Sequence, residues 1–234
     1  MEIVLSEFLL LTGIILVVGY FFYRFGSLDL KGFVAACLAG VFTYYLGQLN
    51  GAKEFSGIYM LFVMFGFFLI GDIVTRIGRK NSREKHEIRT TENIIGNAGA
   101  AIIALALNSG IAYHGAIAAA LADTMSGEIG MLSKSRPLLI TTFKPVEKGS
   151  DGGITALGIL SGIIGGLIIG GLSFYWLGNM KFAMATAIGG LSGSLMDSFL
   201  GALFERKKYL NNMQVNFLAS SSGAVVAFLI FTFL

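Results

Sequence analysis

The chain has 234 residues, 55% of them hydrophobic and only 13% charged, with a formal net charge of +3. A soluble domain carries roughly 25% charged residues, so this composition excludes a water-soluble enzyme. The 32 glycines against 2 prolines suit helices packed closely in lipid, not disorder or collagen.

In chain order, apolar stretches at 3–23, 32–47, 57–75, 93–107, 114–131, 153–177, 182–204 and 213–234 predict about eight spans. The expected fold is all-α: a polytopic transmembrane helical bundle with short loops, in one integral membrane domain over 1–234. Residues 1–56 read as two accessory N-terminal spans and 57–234 as the core. The first stretch is too long for a secretory signal and lacks its basic flank and cleavage site, so it reads as a span. The fourth and fifth are short, rich in Ala and Gly, and joined by only residues 108–113. Of the 17 basic residues, 15 fall in the loops after spans 1, 3, 5 and 7, leaving Lys53 and Lys181 for the other side. The positive-inside rule assigns the basic face to the cytoplasm of the cell membrane and puts both termini outside. Cys37, the single cysteine, excludes an intramolecular disulfide and reads as a small buried apolar residue.

Charged side chains inside a membrane are costly and mark function. At 1.5 Å per residue, Asp123 in span 5 sits about 13 Å from the basic end, Asp197 in span 7 about 10 Å and Glu128 about 6 Å. Asn97 is similarly shallow in span 4, and span 8 opens with Asn211, Asn212, Gln214 and Asn216. Asp72 precedes Arg76 by four residues, a spacing that suits a local ion pair. All these acids lie in one half of the bundle, which predicts a cavity open to the cytosol; a transporter site lies nearer the midplane. Asp123-Thr124-Met125-Ser126-Gly127 and Asp197-Ser198-Phe199-Leu200-Gly201 share one pattern on two helices running the same way. Two carboxylates facing each other at one depth suit Mg²⁺, which takes oxygen ligands and leaves places for water or phosphate. The alternative for each Asp is a basic partner or a role in helix packing. Asp123 and Glu128 lie about 140° apart on an ideal helix. Either the helix breaks near Gly127 and Gly130, which is the expectation, or Glu128 serves another partner.

The loop after span 5 reads Lys144-Pro145-Val146-Glu147-Lys148-Gly149-Ser150-Asp151-Gly152-Gly153. Glycine backbone approaches anions closely and flanking lysines add charge, so the segment suits a phosphate cradle, although it is not a Walker A loop. Ser150 and Asp151 equally suit caps for span 6. Residues 138–143 are apolar and β-branched and predict a short re-entrant or strand-like segment. The loop over 76–92 holds six basic residues and reads as solvated and facing lipid headgroups. Arg89, at the entry to span 4, is its residue best placed to reach a phosphate. His86 reads as a surface residue and His114 as an outer helix end; neither has companions for a metal. Gly190-Leu191-Ser192-Gly193 matches an intramembrane serine protease motif, but no histidine follows it and His114 belongs to the opposite end, so the base is missing. A Cys/His metal constellation and a nucleic-acid motif are both absent from the sequence.

Four segments together carry a resemblance: ADTMSGEIG (122–130), KPVEKGSDGG (144–153), MDSFLGALFE (196–205) and the VN of span 8 (215–216). The sequence resembles an integral membrane family long catalogued as a domain of unknown function. Its best-assigned members are plastid phytyl-phosphate kinases, which convert a prenyl monophosphate to the diphosphate with a nucleoside triphosphate such as CTP. The resemblance runs from about residue 72 to the C-terminus, and the first two spans carry none of it. It implies roles for Asn97, Asp123, Ser126, Glu128, Lys144, Gly149, Gly152, Gly153, Asp197, Ser198, Gly201 and Asn216. Asp151 stands where the family often has Asn, and Glu205 where it often has Gln. On this reading Asp123, Glu128 and Asp197 are the catalytic acids and hold Mg²⁺. Arg89, Lys144, Lys148 and the 149–153 glycines neutralise and cradle the phosphates, and Asn97, Ser126, Ser198 and Asn216 complete the binding site. The expected partners are an isoprenoid monophosphate, a nucleoside triphosphate and the lipid bilayer, with no nucleic acid. The rivals are a transporter or translocator of an anionic metabolite or lipid, and another metal-dependent polyprenyl-phosphate enzyme, a cytidylyltransferase or a phosphatase.

Overall fold

The computed structural model describes residues 5–49, 56–81 and 88–233. Lys53, Arg83, Lys85 and His86 lie outside the described residues. Among the described residues, eight α-helices stand where the eight apolar stretches predict them. They are α1 (Leu5–Arg24), α2 (Leu30–Leu49), α3 (Gly57–Asn81), α4 (Thr91–Ala106), α5 (Gly110–Gly130), α6 (Ala156–Leu177), α7 (Met180–Leu200) and α8 (Asn212–Phe233). Six are long and apolar enough to cross a bilayer; α4 and α5 are not among them. The reason differs for the two. With 16 residues, α4 is about 24 Å long, short of a hydrocarbon core of about 30 Å. Helix α5 is long enough but is built of Ala and Gly, because it does not meet lipid.

Helix α5 is the axis of the bundle and packs against α3, α4, α6, α7 and α8. Ten consecutive residues, 113–122, are buried. Small residues let the backbones approach, as close packing without a hydrophobic driving force requires. A methyl group on Gly223 of α8 would meet the Ala119 Cβ at 2.6 Å, and one on Gly165 of α6 would meet the Ala122 Cα at 2.8 Å. By contrast α1 packs chiefly on α2, and most of its length faces outward.

The chain connecting α5 to α6 forms a small hairpin. Strand β1 (Leu138–Leu139) pairs antiparallel with β2 (Gly153–Ile154), fulfilling the strand-like expectation for this segment. Two left-handed glycines, Gly149 (φ 79°) and Gly152 (φ 76°), turn the returning arm. Neither Ser150 nor Asp151 caps α6. Thr155 does, accepting a hydrogen bond from the Gly158 N–H at 2.9 Å. At the end of α7 the helix widens into one π turn, Gly201–Glu205, closed by the Arg206 N–H donating to the Gly201 carbonyl at 3.1 Å. A π turn shifts every later side chain around the axis and often occurs at functional sites.

Helix α5 continues unbroken through Gly127 to Gly130, so the expected break does not occur. The start of α6 packs onto this turn: a methyl group on Gly130 would lie 3.2 Å from both the Gly158 Cα and the Thr155 Oγ1. That contact supports the helical backbone, and no carbonyl is turned toward a ligand.

Candidate functional site

A cavity of about 490 Å³ opens at the end of the bundle that carries the loops after α1, α3, α5 and α7. Five elements converge on it: the end of α3, the start of α4, the last turns of α5 and α7, and the start of α8, with the 149–153 arm as one wall. Asp123, Asp197, Glu128, Arg89, Asn97, Ser126, Ser198, Asn216, Gly149, Gly152 and Gly153 all line it. The structure brings these residues together. Lys144 and Lys148 are not among the lining residues.

Asp197 is the focus. Its Oδ2 is buried without a hydrogen-bond partner. A buried carboxylate oxygen without a partner is costly, which makes it a candidate position for a bound group. Asp123, from the parallel helix α5, lies within electrostatic reach of Asp197, as do Asp151 and Glu205. An orphaned oxygen between like charges fits a cation, and oxygen-only donors fit Mg²⁺. Glu128 faces elsewhere. Its carboxylate lies against Gly78 of α3, where a side chain on that glycine would strike Oε2. Among the described residues no three of His, Cys, Asp and Glu gather closely enough to hold a metal. Because α5 is unbroken, the metal reading contracts to the two aspartates, with Glu128 on another wall.

Among the described residues, Arg89 is the one basic side chain that lines the cavity. Its backbone is held in a short parallel bridge to the α1–α2 turn: its N–H donates to the Ser27 carbonyl, and the Asp29 N–H donates to its carbonyl, both at 3.2 Å. The guanidinium lies on Gly71 of α3, where a methyl group would come within 2.9 Å of it. Asp72 is not part of the cavity. It accepts from Arg76 Nε at 2.7 Å, the local ion pair its spacing suggests. Arg76 also donates to Ser27 Oγ at 2.8 Å, tying α3 to the same turn.

Lys148 does different work from that expected. Its ammonium donates to the carbonyls of Met131, at 3.2 Å, and Ser133. It thereby serves the carbonyl end of α5, where a cation is favourable. Lys144 is exposed near the hairpin tip. The cavity wall thus presents glycine backbone and Arg89, and neither of the two lysines.

Two residues are additions to the expected set. Asp151, considered above as a cap, lines the cavity. Glu205 sits on the π turn beside Asn212, whose Oδ1 accepts from Asn216 Nδ2 at 3.1 Å. A polar ladder thus runs from the end of α7 into α8. The loop arm locks onto that turn, because Gly152 leaves no room for a side chain against Ala202. Nothing in helical periodicity places Glu205 here; the π turn does.

The other histidine position differs in kind. His114, near the start of α5, is fully buried. Nδ1 contacts the Gly110 carbonyl at 2.7 Å and Nε2 the Tyr59 hydroxyl at 2.8 Å. Tyr59 stacks on Trp176 at 4.8 Å between ring centroids. This is a packed network, and His114 is not among the residues that line the cavity of the acids.

A sequence profile for the integral membrane protein family DUF92 matches residues 13–224. The chain belongs to this family. The matched stretch takes in most of α1 and all of α2. An uncharacterized membrane protein of Methanocaldococcus jannaschii is 36% identical, over 87% of this chain and 86% of that protein. The Arabidopsis thaliana protein PGR is 30% identical, over 78% of this chain and 74% of its own length. The chloroplastic protein VTE6 of the same plant is 26% identical, over 89% of this chain and 66% of its own. No solved structure matches the chain.

Proposed function

We propose that the protein is a prenyl-phosphate kinase. It transfers the γ-phosphoryl group of a nucleoside triphosphate, CTP-like, to an isoprenoid monophosphate at the cytoplasmic face of the cell membrane. An oxygen of the acceptor phosphate forms a bond to the γ-phosphorus as the bond to the β–γ bridging oxygen breaks; the nucleoside diphosphate leaves and the prenyl diphosphate is formed.

The observation that carries this reading is the orphaned Asp197 oxygen in a polar cavity beside Asp123. Asp123 and Asp197 would hold Mg²⁺, which when bound neutralises charge on the nucleotide phosphates. Arg89 binds phosphate oxygens, and the Gly149, Gly152 and Gly153 backbone supplies N–H donors. Asn97, Ser126, Ser198 and Asn216 orient the two phosphate chains. A phosphate acceptor is already ionised near neutral pH, so the absence of a histidine from the cavity is no obstacle. The motif resemblance to phytyl-phosphate kinases and the relationship to VTE6 favour the same chemistry. Against a transporter, the buried polar groups of His114 and Tyr59, toward the other end of the bundle, are engaged with one another.

The test is purified protein in detergent with geranylgeranyl or phytyl monophosphate, Mg²⁺ and γ-labelled CTP or ATP, resolved by thin-layer chromatography. A labelled prenyl diphosphate, lost in Asp123→Asn and Asp197→Asn, is expected. Release of pyrophosphate or inorganic phosphate instead would identify a cytidylyltransferase or phosphatase. A Mg²⁺ titration gives a second readout: the melting temperature should rise in the wild type and not in Asp197→Asn.

A further inference from the structure

The helices α1, α2 and α3 enclose a second concavity, of about 310 Å³, lined by apolar side chains alone. It exists because α1 stands off the bundle: Phe22 of α1 meets Phe65 of α3 edge-on at 6.4 Å between centroids, and small residues of α2, Ala36, Cys37 and Gly40, form the floor. Its rim is open to the bilayer at Ile14, Ile58 and Phe62, each about half exposed.

The groove and the polar cavity share helix α3. Helix α3 contributes Ile58, Leu61, Phe65 and Phe68 to the groove, then Thr75 and Gly78 to the polar cavity. These positions recur every three or four residues and so form one face. Between them on the same face lies Gly71, which bears no side chain and carries the Arg89 guanidinium. Phe68 and Thr75 are seven residues apart, about 10 Å along the axis. The inner end of the groove is closed by Leu28, the bridge partner of Arg89. The apolar groove and the polar cavity thus lie along one face of α3, with Leu28 between the groove and Arg89.

A rival groove lies between α4, α5 and α8, lined by Ile103, Leu107, Phe217 and Phe228 among others. Its way to the cavity is shut. Helices α4 and α8 touch there: a methyl group on Gly96 would lie 3.0 Å from both the Asn216 Cβ and the Met213 carbonyl.

We infer that the groove between α1, α2 and α3 seats the hydrocarbon tail of the acceptor lipid while its monophosphate sits at Arg89. This rests on the prenyl-phosphate reading and adds the tail subsite. It gives the N-terminal hairpin a function: selecting the tail.

The test is photo-crosslinking, with no nucleotide present, of the full chain in lipid nanodiscs to geranylgeranyl monophosphate bearing a diazirine at the tail end. Crosslinked peptides are mapped by mass spectrometry. Adducts are expected within 14–22, 36–40 and 58–68. They should fall about tenfold in Ala36→Phe, which fills the floor, and in Ile58→Trp, on an exposed rim position that tolerates bulk. Adducts on 100–107 and 217–228, adducts spread over all lipid-facing helices, no adduct, or adducts indifferent to both variants would each overturn the proposal. Groove adducts without any diphosphate product in the kinase assay would sink the kinase and leave the tail subsite standing. Product together with adducts elsewhere would do the reverse.

Discussion

The two ends of α5 bury polar groups in opposite ways. Near its start His114 is fully enclosed, with both ring nitrogens in contact with oxygen acceptors or donors of the fold and aromatic rings on its faces. Toward its other end Asp123 faces a cavity in which the Asp197 Oδ2 is buried with no partner. Burial is thus a poor guide to role by itself. A buried polar group whose partners are internal stabilises the fold, whereas an orphaned carboxylate oxygen on a polar cavity is a candidate for a ligand.

The sharpest way to break this contrast is to neutralise the cavity acids. Asp197→Asn and Asp123→Asn should each lower kcat/KM by at least about 100-fold, near 3 kcal/mol of transition-state stabilisation. The melting temperature should stay level or rise, because an uncompensated buried charge is removed. A parallel loss of stability would mean that the acids are structural. His114→Ala should behave in the opposite sense, costing about 2–3 kcal/mol of stability through a cavity and an orphaned Tyr59 hydroxyl. The folded fraction should keep its turnover, as measured by assay after thermal ranking in detergent. Gly71→Val is a smaller, local test: displacing the Arg89 guanidinium should raise KM for the lipid phosphate about tenfold, roughly 1.4 kcal/mol. Smallest is Lys148→Met, expected to cost about 1 kcal/mol of stability through the α5 carbonyl end and to leave nucleotide KM unchanged. A KM rise there would return the lysine to the phosphate cradle.

Much of this was legible in the residues, for identifiable reasons. Lipid-facing helices announce themselves by hydropathy, so α1, α2, α3, α6, α7 and α8 stand out. Helix α5 is harder to see because a helix surrounded by protein needs small residues more than apolar ones. Asp123 and Asp197 were legible because a carboxylate deep in a span has few explanations. The direction of a loop side chain was not. Lys148 and Arg89 are both loop cations expected at a phosphate, and only the fold turns one to a helix end and the other to the cavity. Glu205 was illegible as a neighbour of the acids because counting at 3.6 residues per turn fails across a π turn. The unbroken α5 corrects an expectation built on Gly127 and Gly130 alone, which ignored the α6 turn packed on them.

The small-residue make-up of α5 also bears on how the protein is made. A helix of Ala and Gly with Asp123 and Glu128 near its end has little tendency to remain in lipid alone, since insertion favours Leu, Ile and Phe and penalises acids by several kcal/mol. Short α4 shares the weakness, and the two are joined by a tight turn at Asn108 and Ser109. The pair therefore depends on α6, α7 and α8, which follow it out of the ribosome, to be held in the bilayer. Chains truncated after Gly130 should leave α4 and α5 accessible to a membrane-impermeant reagent, whereas chains extended through α8 should bury them. Integration that is already complete in the truncated chain would show that this helix needs no such company.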